Sequence, residues 1–406
     1  MAPDGTVARP ARSHDRFPCF DGVRALAALM VVVYHSVFFN SFFLTRGGAF
    51  LGTLNAGVFI FFVTSGCLLY LPFAASHLSE SPPVDPRGYA IRRVARVYPA
   101  YWLVLAFFTF VVPRANIYGP AGFARHVSLT LTYVHIKNPF VVGLPPAWSL
   151  VVEVSFYFFL PFYGAVIGVL VRRWNPPRVE FAGLAILFSV GVVSIVALAN
   201  GLDAPWVAVL PQYIAAFSLG MLLAVLSSRR WSDRTTARLD RIGRPTWLWW
   251  SIAVVALAAI PLVLRHNPLA AMTAVQATGL NFCEMIVGIC VVVPVVLGPQ
   301  DHGEIRRVLR SRVAVYLGLV SYGIYLWHWF LLRIVADWLG WPLYHGNWFV
   351  VLVLTLPIVI FAASMSWFLW ERPIVRLAHR VAPGTRRPHD PRAREGHALH
   401  DAATDH

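Results

Sequence analysis

The chain returns repeatedly to runs of about 20 apolar residues, and no other feature limits its fold so strongly. A helix rises 1.5 Å per residue, so such a run matches the hydrocarbon core of a bilayer, where only helices and closed barrels satisfy their own backbone polar groups. Ten runs are recognisable, roughly 21–41, 50–73, 97–113, 148–171, 181–200, 206–227, 246–264, 275–298, 313–336 and 348–371. They predict an all-α polytopic membrane protein with about ten transmembrane helices. Composition agrees, since 13% of the residues are charged where a soluble domain carries about 25%.

The net charge of +15 does not point to nucleic acid, because the basic residues are scattered between apolar runs rather than gathered in one domain. Of 34 Lys and Arg, 28 fall in the N-terminal segment and first-span entrance, in alternate connections and after residue 371. The positive-inside rule makes that side cytoplasmic, and an even number of spans puts both termini there, in a multi-pass cell-membrane protein. The first run is too long for a signal-peptide core and lacks a small-residue cleavage site. Residues 1–19 are therefore expected to be a cytoplasmic tail, 20–376 the membrane domain, and 377–406 a disordered cytoplasmic tail. Between spans three and four lies a long outer loop, 114–147. Its apolar stretch HVSLTLTYVH is too short to cross and suits either a re-entrant lid or an interfacial helix. Cys19, Cys67, Cys283 and Cys290 have no paired spacing, so neither a metal site nor a disulfide framework is expected.

Polar groups inside the runs carry the chemistry, because a titratable side chain in a membrane span is expensive. His35 follows Arg24 by eleven residues, about three helical turns and about 16 Å, so the two face the same way. His35 falls towards the outer third of the bilayer and Arg24 near the cytoplasmic surface; a packed, satisfied histidine is the bland alternative. Glu153 lies at a comparable depth below the outer start of the fourth span, where its carboxylate could fix the His35 tautomer. An ion pair with an arginine would explain it equally simply. Ser321, Tyr325 and His328 share one helix face at i, i+4 and i+7. Arg92, Arg93 and Arg96 sit just before the third span, where guanidinium forks would suit a phosphorylated cytosolic ligand, although positive-inside anchoring also produces such clusters. Ser65 and Gly66 in FFVTSG read as close helix packing. Asn281 and Glu284 are further buried polar residues with no assigned role.

Taken in order, FDGVRALAALMVVVYHS with its Arg-x10-His, FIFFVTSG, RRVARVYPAYW, PPAWSLVVEVSFY, SYGIYLWH and the terminal WERP resemble the acyltransferase-3 family of integral-membrane O-acyltransferases. The resemblance covers residues 20 to 373. It implies roughly ten helices, a cytosolic acyl-CoA donor and catalysis at His35. It also implies that Arg24, Arg93 and Arg96 serve the donor or the site, and that Trp148, Ser149 and Glu153 belong to the active region. Val154 stands where many members have a second acidic residue, which tells against a mechanism needing two neighbouring carboxylates.

The combined expectation is transfer of a short acyl group, acetyl, from acyl-CoA as co-substrate to a carbohydrate hydroxyl, with no permanently bound cofactor and no metal. His35 would act as general base, Glu153 would orient it, and Tyr322, Tyr325 or His328 would donate to the oxyanion. An acyl-histidine relay is the kinetic alternative. The rival from another class is a proton-coupled transporter or lipid-linked sugar flippase, but the interrupted repeats common in transporters are not detectable.

Overall fold

In the computed structural model the chain is helical from end to end of its described part. That part is residues 17–382 apart from 41, 43–44, 80, 134–142, 206–208, 229–230, 265–271 and 301, and it contains no strand. In chain order, α1 (Phe20–Phe38) is followed by a short α2 (Arg46–Gly52), a 3-10 turn (Thr53–Ala56) and α3 (Gly57–Leu78). Next come α4 (Pro86–Ala106), α5 (Gly119–Ser128), α6 (Ala147–Leu170), α7 (Pro176–Ala199) and α8 (Leu210–Ser228). The remainder is α9 (Asp233–Gly243), α10 (Thr246–Leu264), α11 (Ala274–Val296), α12 (Glu304–Leu309), α13 (Arg312–Leu319), α14 (Ser321–Trp338), α15 (Trp348–Met365) and α16 (Arg372–Val381). Among the described residues eight helices are long and apolar enough to cross a bilayer, and ten if each of two bent pairs is one span. The pairs are α9 with α10, bent by 53°, and α13 with α14, bent by 70°.

The apolar runs locate the helices but misplace some ends. The third span was expected at 97–113, yet α4 begins at Pro86 and continues through a π-helical turn at Phe107–Val111. Arg92, Arg93 and Arg96 are therefore inside the helix rather than before it. Hydropathy rejects arginine, whereas the backbone does not: arginine is a good helix former. The start is set by Asp85, which accepts from the Gly88 amide, and by Pro86 at the first helical position. The second span, expected at 50–73, is a longer helical run, Gly47–Leu78, in which α2 and the 3-10 turn lead into α3.

In the 114–147 connection, HVSLTLTYVH is not one element. Its first residues close α5, which ends at Leu129 with φ 58°, and Leu131–Tyr133 forms a separate turn; the last two residues lie outside the described part. Tyr101 donates to the His126 carbonyl at 2.8 Å and Trp102 to that of Val127 at 2.9 Å, which ties the segment to α4. At the other end, α16 extends five residues into the stretch expected to be a disordered tail, since RPIVRLAHRV spaces its apolar residues at helical intervals. Residues 1–16 and the rest of the expected C-terminal tail, from 383, lie outside the described part.

The core of the bundle is drawn tight where α3 crosses α8. A Cβ on Gly66 would stand 2.2 Å from the Phe217 carbonyl oxygen, and one on Gly220 would stand 2.0 Å from that of Val63. Backbone touches backbone here, so neither position admits a side chain. Gly220→Ala is expected to lower stability by roughly 1–3 kcal/mol, the usual cost of overpacking. Thermal unfolding in detergent measures it, and an unchanged midpoint would show that the crossing can relax.

Candidate active site

Seven of the ten residues singled out from the sequence line one cavity: Arg24, Arg93, Arg96, Ser149, Glu153, Tyr322 and Tyr325. It encloses about 840 Å³ of empty space, its open mouth included. Helices α1, α3, α4, α6 and α14 each contribute, so the cavity exists only once the bundle is assembled.

Several polar wall residues have a defined support. Glu153 Oε1 accepts from Ser65 Oγ at 2.9 Å and from Tyr157 OH at 2.6 Å. Tyr322 donates to the Val97 carbonyl at 2.8 Å, which pins α14 to α4 beside the arginines. Ser149 Oγ lies 2.7 Å from Tyr325 OH, and Tyr325 also donates to the Pro146 carbonyl at 2.9 Å. Arg96 is held by the buried Glu371 at 3.8 Å and lies over the rings of Trp367 at 5.0 Å and Tyr322 at 5.9 Å. Glu371 closes a π-helical turn, Ser366–Glu371, in which Ser366 Oγ donates to it at 2.9 Å. Trp370 of the same turn donates to the Pro99 carbonyl at 3.1 Å. The terminal WERP thus packs against RRVARVYPAYW and presents one of its arginines to the cavity.

The charge balance of the wall is positive, with three guanidinium groups against the carboxylate of Glu153. Arg93 Nε is buried with no hydrogen-bond partner among the described residues. A buried guanidinium left short of a partner is costly and is best satisfied by an anion.

His35 and His328 are not in that wall. His35 Nδ1 lies 2.9 Å from His328 Nε2, where α1 and α14 meet. His328 is fully buried, and its Nδ1 contacts the carbonyls of Tyr325 at 2.7 Å and Ile324 at 3.2 Å. A carbonyl can only accept, so His328 Nδ1 carries a proton. In a neutral pair His328 Nε2 must then accept, His35 Nδ1 must donate, and His35 Nε2 keeps its lone pair. His35 itself is only half-buried. Tyr325 connects the two regions: it lines the cavity, and its ring centroid stands 5.7 Å from that of His328.

The expected contact between Glu153 and His35 does not form. His35 is three residues from the end of α1, about 4.5 Å along the axis, whereas Glu153 is six residues into α6, about 9 Å. The carboxylate therefore lies deeper, at the level of Ser65 and Tyr157 rather than of the imidazole. His328 orients His35 instead, and with its own N–H spent on backbone carbonyls it is not an oxyanion donor. Trp148 also lies off the cavity, packed on Tyr213 with centroids 5.5 Å apart. Among the residues the sequence did not single out for the site, Tyr157 was signalled by its i+4 spacing from Glu153. Ser65 was read as packing alone, and the tie from Glu371 to Arg96 has no local signal.

The structure is thus a helical membrane bundle with an anion-suited cavity beside a histidine pair. The profile described as Acyltransferase domain, that of the acyltransferase-3 family, matches residues 17–367. The chain belongs to this family and is an acyltransferase. It is similar to the exopolysaccharide production protein ExoZ of Rhizobium meliloti, 26% identical over 81% of this chain and 92% of that protein. It is also similar to the "Putative peptidoglycan O-acetyltransferase YrhL" of Bacillus subtilis, 25% identical over 89% of this chain and 55% of the other. A third relative is the "Putative O-acetyltransferase SACOL0978" of Staphylococcus aureus, 24% identical over 78% of this chain and 51% of the other. The chain thus spans about half the length of the latter two. No solved structure matches it.

Proposed function

We propose that the chain moves a short acyl group, acetyl, from cytosolic acyl-CoA to a hydroxyl of a carbohydrate-containing acceptor. The observation that carries this reading is an arginine-lined cavity joined through Tyr325 and Ser149 to a histidine pair that leaves His35 Nε2 basic. With both termini on the cytoplasmic side, the arginine end meets the cytosol, where the donor is found, and His35 lies nearer the outer face. The phosphates of CoA bind Arg93 and Arg96, with Arg24 further along the cavity, and the thioester end passes Ser149 and Tyr325.

In the transfer step His35 Nε2 takes the proton of the acceptor hydroxyl. The oxygen forms a bond to the thioester carbonyl carbon, and the tetrahedral oxyanion collapses with loss of the C–S bond. The CoA thiolate leaves and recovers the proton from His35. Tyr325 and Ser149 lie between cavity and histidine, and a hydroxyl there becomes an oxyanion donor once it turns from its present partner, the Pro146 carbonyl for Tyr325 and the Tyr325 oxygen for Ser149. Glu153 acts on the other side of the cavity, holding Tyr157 and Ser65 and balancing part of the arginine charge. Acceptor-dependent release of CoA by the protein in lipid nanodiscs tests the reading. Uptake of a sugar without CoA release would replace it with transport.

Arg93→Ala is expected to weaken acyl-CoA binding about ten- to a hundredfold, because each hydrogen bond to a charged group contributes about 1.5–3 kcal/mol. Calorimetry with acetyl-CoA reads this directly. An unchanged affinity would reduce the cluster to a topological anchor.

A further inference from the structure

Glu284 has no part in this chemistry, yet its placement is costly. It lies ten residues into the apolar α11 with its side chain buried, and a carboxylate at that depth needs partners. Asn55, on the 3-10 turn that leads into α3, donates from Nδ2 to Glu284 Oε1 at 3.2 Å. A carboxylate has about four lone-pair sites, so one amide bond leaves acceptor capacity over. One turn on from Glu284, a Cβ on Gly288 would stand 3.0 Å from the Phe59 carbonyl oxygen, and the Phe59 ring packs on Tyr213 with centroids 5.9 Å apart; Gly57, two residues on from Asn55, meets α1 at Val31, one turn before His35. Tyr34 adjoins His35, their ring centroids 4.7 Å apart. Tyr213 packs against Trp148 and, at 5.3 Å, against Phe62, which also lines the arginine cavity. Tyr34, His35, Asn55, Trp148 and Tyr213 are all half-buried, so each keeps an exposed edge.

A hydrogen-bond-accepting carboxylate beside a pair of packed aromatic rings, next to a candidate general base, is the chemistry that recognises a sugar ring: hydroxyls bond the carboxylate and the apolar face lies on the aromatics. We infer that Glu284, Asn55 and Tyr213, with Trp148, form the acceptor subsite and hold a pyranose so that one hydroxyl faces His35. This rests on the O-acyltransfer reading and adds where the acceptor sits. The donor and acceptor then approach from different sides of the Phe62 and Tyr325 wall.

The test uses the protein in nanodiscs at saturating acetyl-CoA. The varied substrate is the polysaccharide and glycolipid fraction extracted from envelopes of cells lacking this protein. Glu284→Gln, which keeps an acceptor oxygen for Asn55, and Tyr213→Ala should each raise the acceptor KM about tenfold or more. Tyr213→Phe, which keeps the ring, should stay near the starting value. The Kd for acetyl-CoA by calorimetry should be unchanged in all three, which also reports that they fold; if Glu284→Gln fails to fold, the Tyr213 pair decides alone. An unchanged acceptor KM, or a loss of acetyl-CoA affinity in its place, overturns the subsite while leaving acyl transfer standing. Absence of acceptor-dependent CoA release in the unsubstituted protein would sink the O-acyltransfer reading itself.

Discussion

His35→Ala should lower acyl transfer by about 10²–10⁴-fold, the usual contribution of a general base, while leaving acetyl-CoA binding intact. The separation follows from position. His35 is not among the residues of the arginine cavity, so its loss removes no donor contact. It is also half-buried at the end of α1, and alanine is cheaper in lipid than histidine, so insertion should be unaffected, while the fold loses about 1–3 kcal/mol because His328 Nε2 is left without its donor. Steady-state rates with a parallel acetyl-CoA titration measure both halves of the expectation. Full activity in purified His35→Ala protein would remove the general base from the mechanism, and a loss confined to acetyl-CoA affinity would reassign His35 to the donor site.

The second large effect belongs to His328, a positioning residue that acts through His35. Without it, His35 loses the acceptor that keeps its proton on Nδ1, and the two tautomers compete for the base position. His328→Ala should therefore reduce kcat about 10²-fold with little change in either KM, at the low end of what an acid–base group contributes. The diagnostic variant is His328→Gln, whose side-chain oxygen can accept from His35 Nδ1. It should recover much of the lost rate, although it cannot reproduce the imidazole's packing against Tyr325 and the Ile324 carbonyl. Equal kcat losses in His328→Ala and His328→Gln, with equal drops in melting temperature, would mean that His328 only fills space. The Glu153 carboxylate provides the contrast. Because it bonds Ser65 and Tyr157 rather than His35, Glu153→Gln should leave the acid limb of the pH–rate profile in place.

Much of the bundle is readable in the residues because the bilayer leaves the backbone few options. An apolar run of about 20 residues must form its own hydrogen bonds, so the spans appear in sequence as lengths. Arg24 and His35 are legible as a pair for the same reason, since one helix fixes their relative facing over eleven residues. Legibility stops where a second helix is needed. The break at Val320 that bends α13 from α14 by 70° depends on Gly318 meeting the backbone of α1, where a Cβ would stand 2.0 Å from the Asp21 carbonyl oxygen. The π-helical turn at Ser366–Glu371, which aims a carboxylate at Arg96, leaves no mark in hydropathy.

By itself the sequence determined that the chain is a helical membrane bundle, where its spans run and which polar residues the bilayer would have to tolerate. Those properties depend on length, periodicity and the cost of charge in lipid, all of which act within one helix. The partners of those residues were decided by the tertiary structure alone: His35 with His328, Glu153 with Ser65 and Tyr157, Glu284 with Asn55. A hydrogen bond requires atoms within about 3 Å. Register and rotation between helices at that precision come from close backbone crossings such as Gly66 on Phe217, which no single run of residues encodes.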